Sequence, residues 1–222
     1  MVKDSPHKFV YNLFKFLEKK KGTKTPLEVK LLYAPEEITD EDLNVEGSLY
    51  LPNTPITSLP DNLKVKGNLD LYDIPITSLP DNLKVGGTLD LSNTKITSLP
   101  DSLQVRRNLN LSNTPITSLP DNLKVGRSLD LTYTEITSLP DNLKIGGNLS
   151  LYNTPITSIP DNLKVGGYLM LSYTKLTSLP DNLKIGGTLY LANTPLAKKY
   201  TKEEIKKIIE DKGGYVKKDI HV

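Results

Sequence analysis

Leucine recurs every 20 residues along most of this chain, at positions 49, 69, 89, 109, 129, 149, 169 and 189, and again two residues after each of these. The repeat runs from about Gly47 to Leu196. A strict period of this length is typical of a solenoid, in which each repeat forms one coil that stacks on the next. No coil can bury its apolar face alone, so the pattern predicts about eight stacked coils that share one core.

The coil at residues 87–106 indicates which positions face the core. Leu89 and Leu91 flank one polar residue, and this period of two predicts a short strand whose leucines both point inward. Eight such strands are expected to form one parallel sheet, with neighbours about 4.8 Å apart. The return path supplies the rest of the apolar face, from Ile96, Leu99, Leu103 and Val105. Glycine pairs at 86–87, 146–147, 166–167 and 186–187 are expected to let the backbone turn tightly into the next strand.

The residues before the repeats predict a helical cap. A helix over about 6–21, with Ser5 as its N-cap, carries Phe9, Leu13 and Phe16 on one face. We expect this face to pack on the first coil. A helix that binds a partner or lies on a membrane surface is the alternative.

The remaining segments complete a three-part organisation. Residues 1–46 form the N-terminal cap, in which 27–33 fit a strand and 43–46 match half a coil. Eight repeats follow at 47–196.

Residues 197–222 form the C-terminal cap. Thr201 and Glu204 have the spacing of a capping box, which predicts a helix over about 202–212. The tail at 215–222 has the apolar composition of a strand.

The core pattern resembles the leucine-rich repeat family. The motif that carries the resemblance is Leu89-x-Leu91-x-x-Thr94-x-Ile96, followed by Leu99-Pro100-x-x-Leu103. It is similar in particular to short bacterial repeats with a Leu-Pro-x-x-Leu step, and the near-identical Asn-Thr-Pro-Ile-Thr-Ser-Leu-Pro units look like tandem arrays in bacteriophage and bacterial genomes. The family has asparagine where this chain has Thr94 and its equivalents.

The resemblance covers about 150 of the 222 residues. It implies a repeat solenoid with a parallel β-sheet of about eight coils, an extended or 3-10 convex side, and a helical cap at each end. It also implies a protein-binding scaffold that uses the exposed strand face, although a fold does not by itself give a function.

The inventory of reactive side chains argues against catalysis. The chain has no cysteine, which excludes disulfides, thiolate metal sites and the cysteine-dependent ubiquitin ligase chemistry of some bacterial repeat effectors. Its two histidines, His7 and His221, stand at opposite ends of the sequence, so a Ser/His/Asp triad is not credible. Aspartate recurs once per coil, as at Asp101, which indicates a role in a turn. We therefore predict a protein that is not an enzyme and has no cofactor and no metal.

Charge and hydropathy limit the compartment and the classes of partner that we expect for this chain. No apolar run approaches the roughly 20 residues that span a bilayer, and the N-terminus lacks a signal-peptide pattern, so we expect a cytoplasmic protein. Residues 47–196 carry twelve Lys/Arg and twelve Asp/Glu, which makes a nucleic-acid partner unlikely. Residues 197–222 carry eight lysines and five acids, which fits a solvated helix face better than a nucleic-acid contact.

Tyrosine is concentrated at outward positions of the coil. The residues that flank the strand leucines point to the exposed face of the sheet. Five tyrosines and one methionine occupy such positions in the second half of the repeats: Tyr133, Tyr152, Tyr168, Met170, Tyr173 and Tyr190. Tyrosine is enriched in binding hot spots, which favours a partner-binding patch. The alternative is that tyrosines only stack on their neighbours along the sheet.

Two charged groups accompany the tyrosines. Asp70, Asp90 and Asp130 fall at outward strand positions, where adjacent carboxylates repel each other. Solvent, a basic partner or a divalent cation can offset that repulsion. Arg106, Arg107 and Arg127 interrupt the glycine pairs. They are expected either to clamp a carboxylate of a partner or to pair with Asp130.

These observations favour a non-enzymatic protein–protein interaction module. It would bind a partner protein through the exposed strand face and act as a viral or bacterial host-interaction factor in the cytoplasm of the bacterium or the infected host cell. A structural or self-assembling protein is the alternative, and a glycan-binding module is a third hypothesis.

Overall fold

Two parallel sheets, rather than the one expected, run along the solenoid. A computed structural model describes the backbone of residues 6–222 and the side chains from Phe9 onward. Each coil contributes one two-residue strand to each sheet, because it contains two separate extended segments, such as Lys84–Val85 and Leu89–Asp90. The valine that was expected to lie on the return path therefore belongs to a second sheet.

Sheet A has nine strands: β1 Asn44–Val45, β3 Lys64–Val65, β5 Lys84–Val85, β7 Gln104–Val105, β9 Lys124–Val125, β11 Lys144–Ile145, β13 Lys164–Val165, β15 Lys184–Ile185 and β17 Tyr215–Val216. Sheet B has nine more: β2 Leu49–Tyr50, β4 Leu69–Asp70, β6 Leu89–Asp90, β8 Leu109–Asn110, β10 Leu129–Asp130, β12 Leu149–Ser150, β14 Leu169–Met170, β16 Leu189–Tyr190 and β18 Ile220–His221. Between neighbouring repeats, equivalent residues pair in register.

Backbone hydrogen bonds join each coil to the next in both sheets, and successive N–H groups of a strand donate to opposite neighbours. In sheet B the Leu89 N–H donates forward to the Asn108 carbonyl, at 2.9 Å. In sheet A the Lys84 N–H donates backward to the Leu63 carbonyl, at 3.1 Å. Strands of two residues are stable here because each belongs to a ladder nine strands long.

The core occupies the space between the sheets and the return segments. All six predicted apolar positions of the coil are buried, and Leu89, Leu91 and Ile96 have no exposed surface. Equivalent leucines, isoleucines and valines from every repeat join one continuous cluster. The 20-residue pattern therefore predicted the core correctly.

Threonine closes the turn after seven of the nine sheet B strands. The buried Thr94 hydroxyl donates to the Leu91 carbonyl at 2.6 Å, and Thr114 donates to Leu111 at 2.7 Å. Six of the other coils repeat this bond or place an apolar residue there, as at Ile74. The hydroxyl thus satisfies an inward-facing carbonyl, a task for which the family uses asparagine.

Close packing favours the glycine before the sheet B strand. A Cβ on Gly86 would lie 2.2 Å from the Lys66 carbonyl oxygen of the previous coil. Its φ is not in the left-handed region, so the stacking distance, and not a special turn, selects glycine.

The N-terminal cap differs from its prediction. Helix α1 covers Pro6–Lys21, and the Ser5 N-cap lies outside the described residues. Residues 27–33, expected as a strand, form helix α2, Leu27–Tyr33, followed by a 3-10 helix at Pro35–Glu37. Leu27 and Lys30 are both buried, a spacing of three that fits a helix and not a strand.

Helix α2, rather than α1, covers the first coil. Leu27 joins the core cluster, whereas α1 packs on α2. The predicted apolar face of α1 is exposed, with 68% of Phe9 and 52% of Phe16 accessible to solvent.

A buried ion pair fixes this cap. The Lys30 ammonium lies 2.7 Å from Asp42 Oδ2, and the backbone N–H and hydroxyl of Thr39 both donate to the same oxygen at 2.8 Å. Burial alone would raise the pKa of Asp42. The hydrogen bonds from Lys30 and Thr39 outweigh burial and hold that pKa well below its ordinary value of 3.8.

The C-terminal cap closes both sheets. Helix α3 covers Pro195–Lys199 and α4 covers Lys202–Asp211, with a capping box between Thr201 and Glu204. Strand β17 then pairs with β15, and β18 pairs with β16. Within residues 6–222, no helix is both long and apolar enough to cross a membrane.

Replacing Asp42 by Asn should destabilise the chain by about 3 kcal/mol at pH 7, because it leaves the buried Lys30 charge without its partner. A carboxylate whose folded pKa is depressed stabilises above its unfolded pKa, and this contribution is lost as the pH falls below about 4. Urea unfolding at pH 7 and pH 3 should therefore show a smaller difference between wild type and variant at pH 3. The exposed Asp40, changed to Asn, is the control, and an equal loss in both variants would contradict the role of the pair.

Replacing Thr114 by Val should destabilise the chain by about 1–2 kcal/mol, because it leaves the Leu111 carbonyl unsatisfied in the core. The urea midpoint measures the change. Thr117→Val, at an exposed position of the same coil, makes the same chemical change without breaking a buried bond. A similar loss in both variants would show that the hydroxyl bond contributes nothing.

Candidate binding face

The outward surface of sheet B begins with an exposed tyrosine, is polar over its middle strands and is aromatic again toward its end. The position between the strand leucines is held by Tyr50 in the first strand, by Asp70, Asp90 and Asn110 in the next three, and by Met170 and Tyr190 in the last two repeats. Because neighbouring strands pair in register, these residues form a continuous column.

The aspartates have a local structural role. Asp90 Oδ1 accepts the Ser92 N–H at 2.9 Å. Asp70 makes the equivalent bond to the Tyr72 N–H at 3.0 Å, and Asp130 to the Thr132 N–H at 2.9 Å. Each carboxylate thus satisfies a backbone donor two residues ahead in its own coil.

Negative charge is not needed for that bond, since Asn110 makes it too, at 3.1 Å to the Ser112 N–H. Asn110 also donates its amide to Asp90 Oδ2 at 3.2 Å, which offsets part of the repulsion expected along this column. In the part of the chain with described side chains, no three His, Cys, Asp or Glu residues are grouped closely enough to hold a metal ion.

A second column of small polar side chains precedes the strand leucines. Ser128 Oγ accepts the Asn148 N–H of the next coil at 2.9 Å, and Asn148 Oδ1 accepts the Tyr168 N–H at 3.0 Å. Tyr168 then occupies a position at which six preceding coils carry serine, asparagine or threonine. A large ring replaces a residue type that links the coils.

Three tyrosines from successive coils form an aromatic cluster. The ring centroids of Tyr133 and Tyr152 are 5.6 Å apart with planes at 78°, and those of Tyr152 and Tyr173 are 5.1 Å apart. Burial raises the pKa of Tyr152, and the neighbouring Tyr133 and Tyr173 raise it further. The central phenol therefore stays neutral and can donate or accept a hydrogen bond.

A second aromatic cluster lies nearer the C-terminal end. Tyr168 and Tyr190 meet edge to face at 6.2 Å, and Tyr190 stacks on His221 at 5.0 Å with nearly parallel planes. Burial, with a smaller effect of Asp130, raises the pKa of Tyr168. The structure thus places Asp130 near the tyrosines, although the two residues lie two coils apart.

Sequence reasoning did not include His221 in the site. This residue comes from the last strand, β18, and lies beside Tyr190 only because the tail adds a ninth strand in register. The available signal was the spacing of the last repeat, because Ile185-x-x-x-Leu189-x-Leu191 recurs at Val216-x-x-x-Ile220-x-Val222.

Tyr133 and Tyr173 occupy backbone positions that disfavour them. Their φ angles are 57° and 62°, in the left-handed region. The same coil position holds asparagine or aspartate in all six of the remaining repeats, as at Asn113 and Asn153. Asn and Asp tolerate this conformation far better than a bulky ring, so tyrosine is placed here against the local backbone preference.

The three arginines lie apart from the aromatic clusters. Arg106 follows strand β7 of sheet A, whereas Arg107 and Arg127 lie in the links that lead to sheet B. All three are exposed. Among the residues with described side chains, none of them forms an ion pair with Asp130, so the pairing considered for the three arginines is not observed.

Two solved structures share this architecture. YopM, a leucine-rich effector protein from Yersinia pestis, aligns with a TM-score of 0.54 over 97% of this chain and 61% of its own, at 18% identity. A Shigella effector LRR domain aligns with a TM-score of 0.53 over 98% of both chains, at 21% identity. This chain has the leucine-rich-repeat fold.

The leucine-rich-repeat likeness is one of fold, at low sequence identity. The chain spans 61% of the length of the YopM chain that it matches. No family model matches the sequence, and no curated protein matches it.

Changing Tyr133 and Tyr173 together to Asn should leave the free energy of unfolding unchanged or raise it by about 1 kcal/mol, because relief of the left-handed strain offsets the lost ring contacts. Tyr152→Ser removes the same two ring contacts without relieving strain, so it should lower stability by about 1–2 kcal/mol. Urea unfolding compares the two proteins. An equal loss in both would mean that the two outer tyrosines serve the fold.

Proposed function

We propose that this chain is a non-enzymatic protein-interaction module that binds a partner protein through its tyrosine face. The tyrosine face consists of Tyr133, Tyr152, Tyr168, Met170, Tyr173, Tyr190 and His221. The observation that carries the proposal is the left-handed backbone at Tyr133 and Tyr173. A residue that opposes the local backbone preference at two alternate coils indicates selection for something other than folding.

The geometry supports binding through preorganised rings. Tyr152 is held between its two neighbours, and Tyr190 between Tyr168 and His221. Rings fixed by such contacts lose little conformational entropy when a partner covers them, while their hydroxyl groups remain available for hydrogen bonds. Half of the Tyr133 and Tyr173 side-chain surfaces are exposed, at 53% and 50%, so area remains to be buried.

The aspartates would set the position and orientation of the partner. Asp130 lines the same surface depression as Tyr168, and only one of its carboxylate oxygens accepts the Thr132 N–H. The second oxygen can accept from a basic or hydroxyl group at the edge of the aromatic surface. Charges at the rim of an interface affect specificity and association rate more than affinity.

We infer that the module acts in the interaction of a bacterium or a virus with its host. The two solved structures of the same fold are described as effectors. An exposed strand face that varies on a constant core suits such a role, since new surfaces arise without change to the fold. We place the activity in the cytoplasm of the bacterium or of the infected host cell.

A capture experiment tests the tyrosine face. The intact chain, the Tyr133→Asn/Tyr173→Asn variant and a Tyr50→Ser/Tyr72→Ser control are immobilised and exposed to host lysate. The control removes two exposed tyrosines from the other end of sheet B. Any protein retained by the intact chain is purified and its affinity measured by calorimetry.

We expect the Asn variant to bind at least about thirtyfold more weakly and the control to bind like the intact chain, because two hot-spot tyrosines contribute about 2 kcal/mol or more. Equal binding by all three proteins would refute the tyrosine face as the site. A doubling of mass with concentration, measured by light scattering, would instead support self-assembly. Loss of the captured species after glycosidase treatment would support a glycan ligand.

A further inference from the structure

The outward side chains of sheet A form two columns that enclose a trough. The first column is Asn44, Lys64, Lys84 and Gln104, and the second is Glu46, Lys66, Gly86 and Arg106. Between them lie the strand residues Val65 and Val85, whose side chains are buried. The trough has a volume of about 610 Å³ and follows the solenoid axis over the first four coils.

Positive charge dominates this trough. Its one acid, Glu46, is already bound by Lys66 at 2.6 Å. Among the residues with described side chains, Lys64, Lys84 and Arg106 form no ion pair. Three cations on two facing walls are therefore free of ion pairs and can contact an acidic ligand.

The basic side chains depart from the repeat. The position of Lys66 and Arg106 is glycine in the other five repeats, as at Gly86 and Gly126. A Cβ on Gly126 would lie 2.1 Å from the Arg106 carbonyl oxygen, so stacking favours glycine here. Nevertheless, the four non-glycine residues in the paired glycine positions of the repeats are all basic: Lys66, Arg106, Arg107 and Arg127.

The trough ends where its second column loses its cations. The next depression along sheet A shares Arg106 with the trough and continues the first column with Lys124 and Lys144, but its second column continues with Gly126 and it contains Asp121. From there on, the second column consists of Gly146, Gly166 and Gly186. Cations therefore occur in both columns only over the first four strands of sheet A, even though residues 47–196 carry equal numbers of acids and bases.

We propose that the basic trough binds an extended acidic peptide segment of a partner protein. Its walls stand two residues apart on the same strand, about 7 Å, which admits one extended chain. Lys64 and Lys84 are one strand spacing apart, about 4.8 Å, and can contact successive carboxylates. The Arg106 guanidinium can hold a carboxylate with two hydrogen bonds.

A single-stranded nucleic acid fits this surface less well. Proteins that bind single strands combine a basic groove with aromatic rings on which the bases stack. No aromatic side chain is among the described residues that line the trough. The trough is also separate from the tyrosine face, so this proposal does not depend on the proposed function above.

Fluorescence anisotropy with a labelled ten-residue glutamate peptide tests the proposal. The proteins are the intact chain, a Lys66→Gly/Arg106→Gly variant and a Lys144→Gln/Lys164→Gln control. The first variant restores the residue that other coils carry, so it should fold. The control removes the same charge from sheet A outside the trough. A labelled ten-nucleotide thymidine strand serves as the competing ligand class, and circular dichroism confirms folding.

We expect the intact chain to bind the glutamate peptide more tightly than the thymidine strand, with an affinity that falls between 50 and 200 mM salt. The trough variant should bind about tenfold more weakly, and the control within about twofold of the intact chain. Equal losses in both variants would mean that net charge, and not the trough, attracts the peptide. Tighter binding of thymidine, or no binding of glutamate at all, would also overturn the proposal.

Discussion

Registered stacking of one coil on the next is the constraint on which the whole molecule depends. A two-residue strand has almost no stability alone, and six apolar side chains per coil cannot form a closed core. Both become stable only when equivalent residues lie directly above each other, as Leu89 does beside Leu109. The same register brings Tyr190 to His221 and Lys64 to Lys84, so binding surfaces are columns of equivalent positions.

Stacking also explains which parts of the coil are constant. A carbonyl of the previous coil leaves little room for a side chain at Gly86. The Thr94 hydroxyl donates a hydrogen bond to a carbonyl of its own coil. Thr94 is buried and reaches no surface that a partner could use, whereas the position of Gly86 lines the basic trough. Asp90 serves both the fold and the surface. One of its carboxylate oxygens accepts a turn N–H, and the other accepts the Asn110 amide on the outward face of sheet B.

The core and the repeat length could be predicted from the sequence because a period of 20 leaves a signal in every coil. The second sheet could not, since Lys84–Val85 is too short to show an alternation of its own. Helix α2 was mistaken for a strand because Leu27, Val29 and Leu31 alternate with two charged residues, which is the period of a strand. The helical conformation of α2 buries Lys30 against Asp42, which is twelve residues away in the sequence. The pattern of residues 27–33 alone does not contain such a contact.

The candidate surfaces were predicted in part. Because the residues that flank the strand leucines point outward, the sequence located the tyrosines on one face. Backbone strain at Tyr133 and the stacking of His221 on Tyr190 became visible only in three dimensions. The distribution of charge, by contrast, was not predicted. Equal numbers of acids and bases in the repeats suggested a neutral surface. The fold instead places aspartates on sheet B, as at Asp70 and Asp90, and cations on sheet A, as at Lys64, Lys84 and Arg106.

The alternating hydrogen bonds of the parallel strands have an electrical consequence. Along each strand of either sheet, successive N–H groups point toward opposite ends of the solenoid. Their peptide dipoles therefore cancel across each coil, in contrast to an α-helix, where they add along the axis. Extra coils lengthen the molecule without charging its ends. The number of repeats can thus change by duplication or loss of a 20-residue unit while the electrostatic environment of both caps stays the same.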